Sequence, residues 1–373
     1  MGDCASRRAT KEFVDREIGR IADQLDEREE TPRALVERMG EFGLLRGELD
    51  PKWGGFEDPT RDFGFLCREV GRASMSLLSL LTVHGMVGKA IELWGSQEQK
   101  ARWLKSMAQG QEIGSFALTE PLIGSDATHV QTNLRKEGSG FILNGTKKWI
   151  SYGALADLFL VFARIDSQPV AVLVPATSEG IDIRPISGML GFRASMMAEI
   201  SFSDVVLEES SIIGRVGFGI SMVALSALDL GRFAIAQGSL GLGLACLESA
   251  LAHATSRKQF DKPLREHQLI QGLLTEIDCS YTCARLLCLE AERLRSEGDP
   301  AAMIETAKAK YVTSNMADLV SDRTVQILGA LGCSAEMSAQ RYYRDARLTR
   351  IIEGSDQMQQ MMIAQNMVVP GRG

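Results

Sequence analysis

The sequence is poor in metal-ligand patterns. Its four histidines, His84, His129, His253 and His267, are far apart, and none stands at ligand spacing from another. Seven cysteines are scattered along the chain: Cys4, Cys67, Cys246, Cys279, Cys283, Cys288 and Cys333. Cys279, Cys283 and Cys288 lie near one helical face, but no histidine nearby completes a site. Core or interface packing is expected of them, and no metal. An odd set in helical surroundings fits a reducing cytoplasm. Positive charge is also short: 41 Lys and Arg stand against 48 Asp and Glu, a net charge of -7. That argues against a general nucleic-acid binder, which needs a basic face. No apolar run approaches the roughly 20 residues that span a bilayer, so no membrane segment is expected. The first eleven residues are polar and lack an apolar signal core. Arg7, Arg8 and Lys11 are basic, but Asp3 and Glu12 flank them, which disfavours a transit peptide. Repeats, linkers and low-complexity tracts are absent.

What remains is ordinary globular material, 45% hydrophobic and 24% charged, with length for two or three domains. Residues 1–114 read as a mostly helical module. Phe13, Ile18, Ile21 and Leu25 follow the helical period, and Thr31-Pro32 reads as a helix start with proline at the first helical position. Residues 61–94 read as helix again, and Gly95-Ser96-Gln97 breaks the run before Glu98–Met107. Residues 115–214 change character to short alternating runs, a small antiparallel β domain. Asn144-Gly145 predicts a hairpin turn between two short strands. Further strands are expected at 157–164, 168–174, 181–185 and 197–202. From residue 215 to 373 the helices are long and read as a bundle. The fold class is α+β, in the order α, β, α bundle.

Residues 116–126, FALTEPLIGSD, end in Gly124-Ser125-Asp126. Small residues, a hydroxyl and close backbone approach suit a polar cofactor edge or a phosphate; a capped turn between two elements reads equally well. Gly238-x-x-Gly241-x-Gly243 has glycines in a dinucleotide-like rhythm but lies inside a helix with no preceding strand. Close helix packing is the expectation there. Glu353, between Ile351-Ile352 and Gly354, fits a buried and carefully placed acid, or a glutamate serving the dipole of the helix from Ser355.

Taken together and in order, five segments resemble the acyl-CoA dehydrogenase family from about residue 12 to residue 367. They are residues 116–126; Asn144-Gly145-x-Lys147-x-Trp149-Ile150-Ser151; residues 257–264, RKQFDKPL; Gln326-Ile-Leu-Gly329; and Glu353-Gly354-Ser355-Asp-Gln357. The resemblance implies a helical N-terminal domain, a β-barrel-like middle domain and a four-helix bundle, in a homodimer or homotetramer. It implies non-covalent FAD and removal of two hydrogens from the α and β carbons of an acyl thioester. Glu353 would take the α proton, the flavin N5 the hydride, and electron-transfer flavoprotein or a similar acceptor the electrons.

The same resemblance assigns the flavin to Phe116, Leu118, Thr119, Ser125, Trp149, Ile150 and Ser151 from one subunit. Arg257, Phe260, Gln268, Gln326 and Gly329 would reach it from a neighbour, and Ser355 with Gln357 would meet the adenosine end. Ser125, Asp229, Arg232 and Gly354 would meet the substrate. A minority branch carries its base on a bundle helix; here that position is Gly231, which cannot act as one. Departures from the family pattern are Ala330 for a second glycine, Ile352 for a ring before the glutamate, and Gln365 for an arginine toward the CoA nucleotide. Gln365 tilts the expected substrate toward an acyl-carrier-protein thioester of polyketide extender-unit biosynthesis. A free CoA thioester is the alternative, and an oxygen-using oxidase or a non-catalytic flavin-binding partner stands behind both.

Overall fold

The computed structural model describes residues 2–57 and 63–367, with side chains from residue 6 onward. Residues 61 and 62 of the expected second helical stretch, and the Cys4 side chain, therefore lie outside the described part. The chain opens with helices α1 (Gly2–Phe13), α2 (Ala22–Arg28) and α3 (Arg33–Phe42), with a π-helical turn at Val14–Gly19. Pro32 stands one place before the first helical residue, at the N-cap of α3. Then come α4 (Phe63–Ala73), α5 (Met75–Trp94) and α6 (Gln97–Ala108). The helical run expected over 61–94 is two helices, because Ser74 turns extended and its hydroxyl accepts from the N–H of Leu77, an N-cap. Ser96 and Gln99 form a capping box at the start of α6.

Two stretches, Met75–Trp94 and Gly219–Ser256, are long and apolar enough to cross a membrane, against the sequence expectation. Their Gly, Ala and Ser content hid them from a search for unbroken apolar runs. In the fold protein covers much of this apolar surface: 83% of the apolar part of α5 is buried, and 56% of that of the second stretch. His84 on α5 shows how tightly. Its Nδ1 accepts from the N–H of Gly114 at 3.2 Å and its Nε2 donates to the Met107 carbonyl at 3.1 Å, a pairing that needs the neutral ring. Burial pushes its pKa down to about 4. An unfolded histidine titrates near 6.5, so the fold excludes a proton that the unfolded chain takes up. Stability from this residue is complete above pH 6.5 and is lost as pH falls to 4, by about 3 kcal/mol. Thermal melts between pH 4 and 7 should show that slope, and it should flatten in His84→Gln.

The middle of the chain forms strands β1 (Gly114–Ala117), β2 (Asn133–Glu137), β3 (Gly140–Ile150), β4 (Leu158–Ile165), β5 (Gln168–Pro175), β6 (Ile181–Pro185), β7 (Ala198–Glu208) and β8 (Ile212–Ile213). Seven run in the order β6-β7-β3-β2-β4-β5-β8, and β1 lies on β4. Pairing is antiparallel except for β1 with β4 and a single β2–β4 contact. The hairpin expected at Asn144-Gly145 is absent. β3 runs straight through it, and the pair forms a bulge against β7. Gly145 takes φ +149° there, and a Cβ on it would meet the Thr132 side chain at 2.6 Å. The Asn144 amide instead bridges to Asp204, giving one bond to its carboxylate and taking one from its N–H. The true turn lies between β2 and β3, with Gly138 at φ +59°.

The last third is helical. A π-helical turn, Gly219–Ala224, leads into α7 (Leu225–Ser256). A two-stranded hairpin follows, β9 (Lys258–Gln259) with β10 (Lys262–Pro263), and then α8 (Gln268–Glu297), α9 (Ala302–Leu328), α10 (Ala339–Thr349) and α11 (Asp356–Gln365). α7 packs against α4, α5, α8, α9 and α10. Its Gly238 and Gly241 let α4 approach backbone to backbone: a Cβ on Gly71 would meet Gly238 at 2.6 Å. That is the close-packing role expected of the glycine rhythm. Of the three cysteines on α8, Cys288 is buried and Cys279 and Cys283 are exposed.

Candidate active site

Glu353 sits in the six-residue connection between α10 and α11. It takes φ +51° and Gly354 takes +83°, two left-handed residues in succession. A side chain at φ > 0 is strained, so its surroundings must hold it. They do. Gln359 of α11 donates to the carbonyls of Glu353 at 3.3 Å and Gly354 at 3.0 Å. Lys310 of α9 donates to the same Gly354 carbonyl at 2.8 Å. Ser355 caps α11, its hydroxyl accepting from Met358. Arg350 ties Asp356 at 2.8 Å and Asp318 at 2.6 Å.

The Glu353 side chain is thereby turned onto α7. A Cβ added at Gly231 would run into its Oε2, and would meet the Met86 sulfur of α5 at 2.8 Å. A side chain at 231 and the Glu353 carboxylate therefore exclude each other. Oε2 is closed off from solvent and has no partner. Burial pushes the carboxyl up to about 7, against the pull of Arg232 and Lys310. Arg232 has Nε and Nη1 buried and unpaired; burial lowers its pKa, while Asp229 and Glu353 raise it. Asp229 Oδ1, Asp356 Oδ1 and Gln359 Oε1 are likewise buried without partners. Native proteins leave few such atoms, so this concentration marks a place where a polar ligand completes the bonding. A carboxyl poised near neutrality, beside a guanidinium and against a glycine, can take a proton from a weak carbon acid.

A second group of predicted residues gathers at the edge of the sheet. Phe116 tilts onto Phe162 with ring centroids 4.9 Å apart. Ile150 and Leu118 are buried. Trp149 stands at a second bulge of β3, with φ +60° and the residue 47% exposed. Among the described residues, the hydroxyls of Thr119, Ser125 and Ser151 have no protein partner. An exposed aromatic face beside three free hydroxyls suits a flat heteroaromatic group with polar edges. A Cβ on Gly124 would meet nothing within 4 Å, so this loop stands open to a ligand.

Sequence reasoning passed over what holds this edge. Lys147, fully buried, donates to Glu120 at 2.8 Å and to the Leu118 carbonyl at 3.0 Å. Glu120 also accepts from Gln131 N–H, Thr132 N–H and the Thr132 hydroxyl. Burial raises the Glu120 pKa, and Lys147 with Thr132 and Gln131 more than reverse it, holding the carboxyl below its usual range. Burial draws Lys147 down to about 8, so the pair is ionised at neutral pH.

The remaining predicted residues lie elsewhere. Arg257 ends α7, 25 residues beyond Arg232, about 37 Å at the helical rise. Gln326 and Gly329 are exposed, 16 and 19 residues beyond Lys310, about 24 and 28 Å away. Gln268, Gln357 and Gln365 are exposed. Phe260 is 89% exposed at φ +50°, at the tip of the β9–β10 hairpin, edge-on to His267. The subunit's own fold therefore does not bring Arg257, Gln326 and Gly329 to Glu353.

Sequence models of the acyl-CoA dehydrogenase N-terminal, middle and C-terminal domains match residues 4–111, 115–205 and 219–368. The chain belongs to the acyl-CoA dehydrogenase family. It is 36% identical over 365 residues to the mitochondrial short-chain specific acyl-CoA dehydrogenase of Mus musculus, covering 96% of this chain and 88% of that protein. Among solved structures it resembles a glutaryl-CoA dehydrogenase from Mycobacterium smegmatis in complex with FADH2, with 30% identity, a TM-score of 0.92, and 98% and 94% of the two chains covered. It also resembles FkbI, described as serving biosynthesis of the methoxymalonyl extender unit of a polyketide immunosuppressant, at 30% identity, a TM-score of 0.88, and 95% and 98% coverage. An acyl-CoA dehydrogenase of this kind is an oxidoreductase whose cofactor is FAD. The open, hydroxyl-lined edge beside Trp149 fits that group.

Proposed function

We propose that this acyl-CoA dehydrogenase homologue oxidises a small acyl thioester, with Glu353 removing the α proton. The observation that carries the reading is the Glu353 carboxyl: closed off from solvent and unpaired at Oε2, raised to about 7 and pressed onto Gly231. A thioester α proton is weakly acidic, and a desolvated carboxylate is a stronger base than one in water. The C–H bond breaks as the proton passes to Glu353. Negative charge grows on the thioester oxygen, where Arg232 and the Glu353 backbone N–H offer positive potential. FAD supplies the hydride acceptor when bound. Its isoalloxazine would lie along Trp149, with Phe116, Leu118, Thr119, Ile150 and Ser151 around its edge and Ser125 toward the pyrophosphate. Asp229, Arg232, Ser125 and Gly354 would meet the thioester.

A homo-oligomer supplies the rest. Phe260 is held in a strained, almost wholly exposed conformation, a costly arrangement for a ring left open to solvent. A second subunit would cover it and bring Arg257, Gln268, Gln326 and Gly329 to the cofactor, with Ser355 and Gln357 at the adenosine end. Electron-transfer flavoprotein or a similar carrier would take the electrons onward, in the cytoplasm.

For the thiol carrier, the reading favours an acyl carrier protein over free CoA, as in polyketide extender-unit biosynthesis. α11 has no basic residue in its last turn, and Gln365 stands there, so a nucleotide phosphate finds no cation on it. The similarity to FkbI points the same way, and that to the mouse short-chain enzyme points to CoA. Anaerobic titration decides between them. A carrier-protein thioester should bleach the flavin and the matching CoA thioester should bleach it poorly. Equal rates would return the enzyme to the CoA class.

A further inference from the structure

We propose that Lys310 is a positioning residue for the base: its ammonium pins the left-handed turn at Gly354 and, beside Arg232, supplies positive charge that lowers the proton affinity of Glu353. This rests on the reading of Glu353 as base. Lys310 lies one turn from Thr306 and Ala307 and one from Thr313 and Ser314, on the buried stripe of α9, and is itself 0% exposed. A lysine there costs desolvation free energy, and its pKa falls to about 8. Its ammonium donates to the Gly354 carbonyl, the residue after the base. A neutral donor would do as well if pinning were the whole role, since Gln359 already donates to that oxygen.

The charged groups around the pair are few. Glu353 faces Arg232 of α7 and Lys310 of α9, while α5 offers the Met86 thioether and α11 the Gln359 amide. Lys310 faces Asp356 and Glu353, with Arg232 and Arg350 opposing. Asp356 is already held by Arg350 and Asn315. Lys310 therefore serves two anions, Asp356 first and Glu353 second, and ionising the base costs less with the ammonium in place.

Lys310→Gln keeps a donor for Gly354 and removes the charge; Lys310→Met removes both. In the Gln variant of the FAD-loaded enzyme, the pH at which anaerobic flavin bleaching reaches half its maximum should rise by about one unit. The rate at pH 7 should fall about fivefold and recover by pH 9. An infrared carboxyl band, assigned through its loss in Glu353→Gln, should titrate upward by the same amount. A reciprocal measurement leaves Lys310 in place: in Glu353→Gln its ammonium, followed by carbon-13 lysine NMR, should deprotonate at lower pH than in wild type. A purely structural lysine would lower the rate equally at every pH and leave both titrations unmoved, and that result overturns the proposal. Activity surviving in Glu353→Gln would instead remove the base assignment, while the two titrations would still report whether the charges are coupled.

Discussion

Glu353→Gln should cut thioester-driven flavin reduction on the order of 10³-fold while leaving FAD binding intact. General-base groups contribute about 10²–10⁴ to rate. The nearest alternative on α7 is Gly231, and the two positions compete for one volume. In wild type the rate should climb with pH through about 7, because Glu353 must lose its proton before it can accept another. The stability sign is the opposite. The fold holds this carboxyl above its unfolded value, so the protonated form favours folding. That contribution is complete below the ordinary pKa near 4.5 and is lost as pH rises through 7. Glu353→Gln cannot ionise, so at pH 8 it should melt no lower than wild type and should melt higher if the turn is undisturbed. Stopped-flow bleaching against pH, beside thermal melts of both proteins, reads the two effects separately. Full activity in the variant would sink the assignment.

The sequence carried the architecture because its signals were local. Helical periods, the Pro32 and Ser355 boundaries and the alternation of β4 and β5 each need only a few neighbours. Asn144-Gly145 misled because the same dipeptide serves a turn or a bulge, and only Thr132, pressed onto Gly145 from just before β2, decides which. Glu353 was visible through its apolar neighbours and the following glycine. Its partners were less so. Lys310 has a readable signal, a lysine on an otherwise apolar and hydroxyl-bearing helical stripe, but what it touches lies 44 residues away. Long-range pairing also hid Lys147 and Glu120, although both stand inside motifs that were read.

That pair carries the other large effect. Lys147→Met should destabilise the fold by about 3–5 kcal/mol and strip the protein of FAD. Removing one member of a buried ion pair leaves the other charge without its counter-ion, and here Glu120 would keep three donors but no cation. The consequence for the cofactor follows from geometry. Lys147 also holds the Leu118 carbonyl, and the N–H of the next residue, Lys148, bonds the Thr119 carbonyl at 2.9 Å. Those two contacts fix residues 118–120 against β3, one residue before the strained Trp149. If Lys147 is lost, the Thr119 hydroxyl and the Trp149 ring are no longer presented together. Glu120→Gln separates the two roles: it can still accept from Lys147 and Thr132, so it should cost less stability than Lys147→Met and retain more flavin. Flavin absorbance per protein, compared with the melting temperature after added FAD, tests the order. Equal FAD content in wild type and Lys147→Met would show that the buried pair serves the sheet and not the cofactor edge.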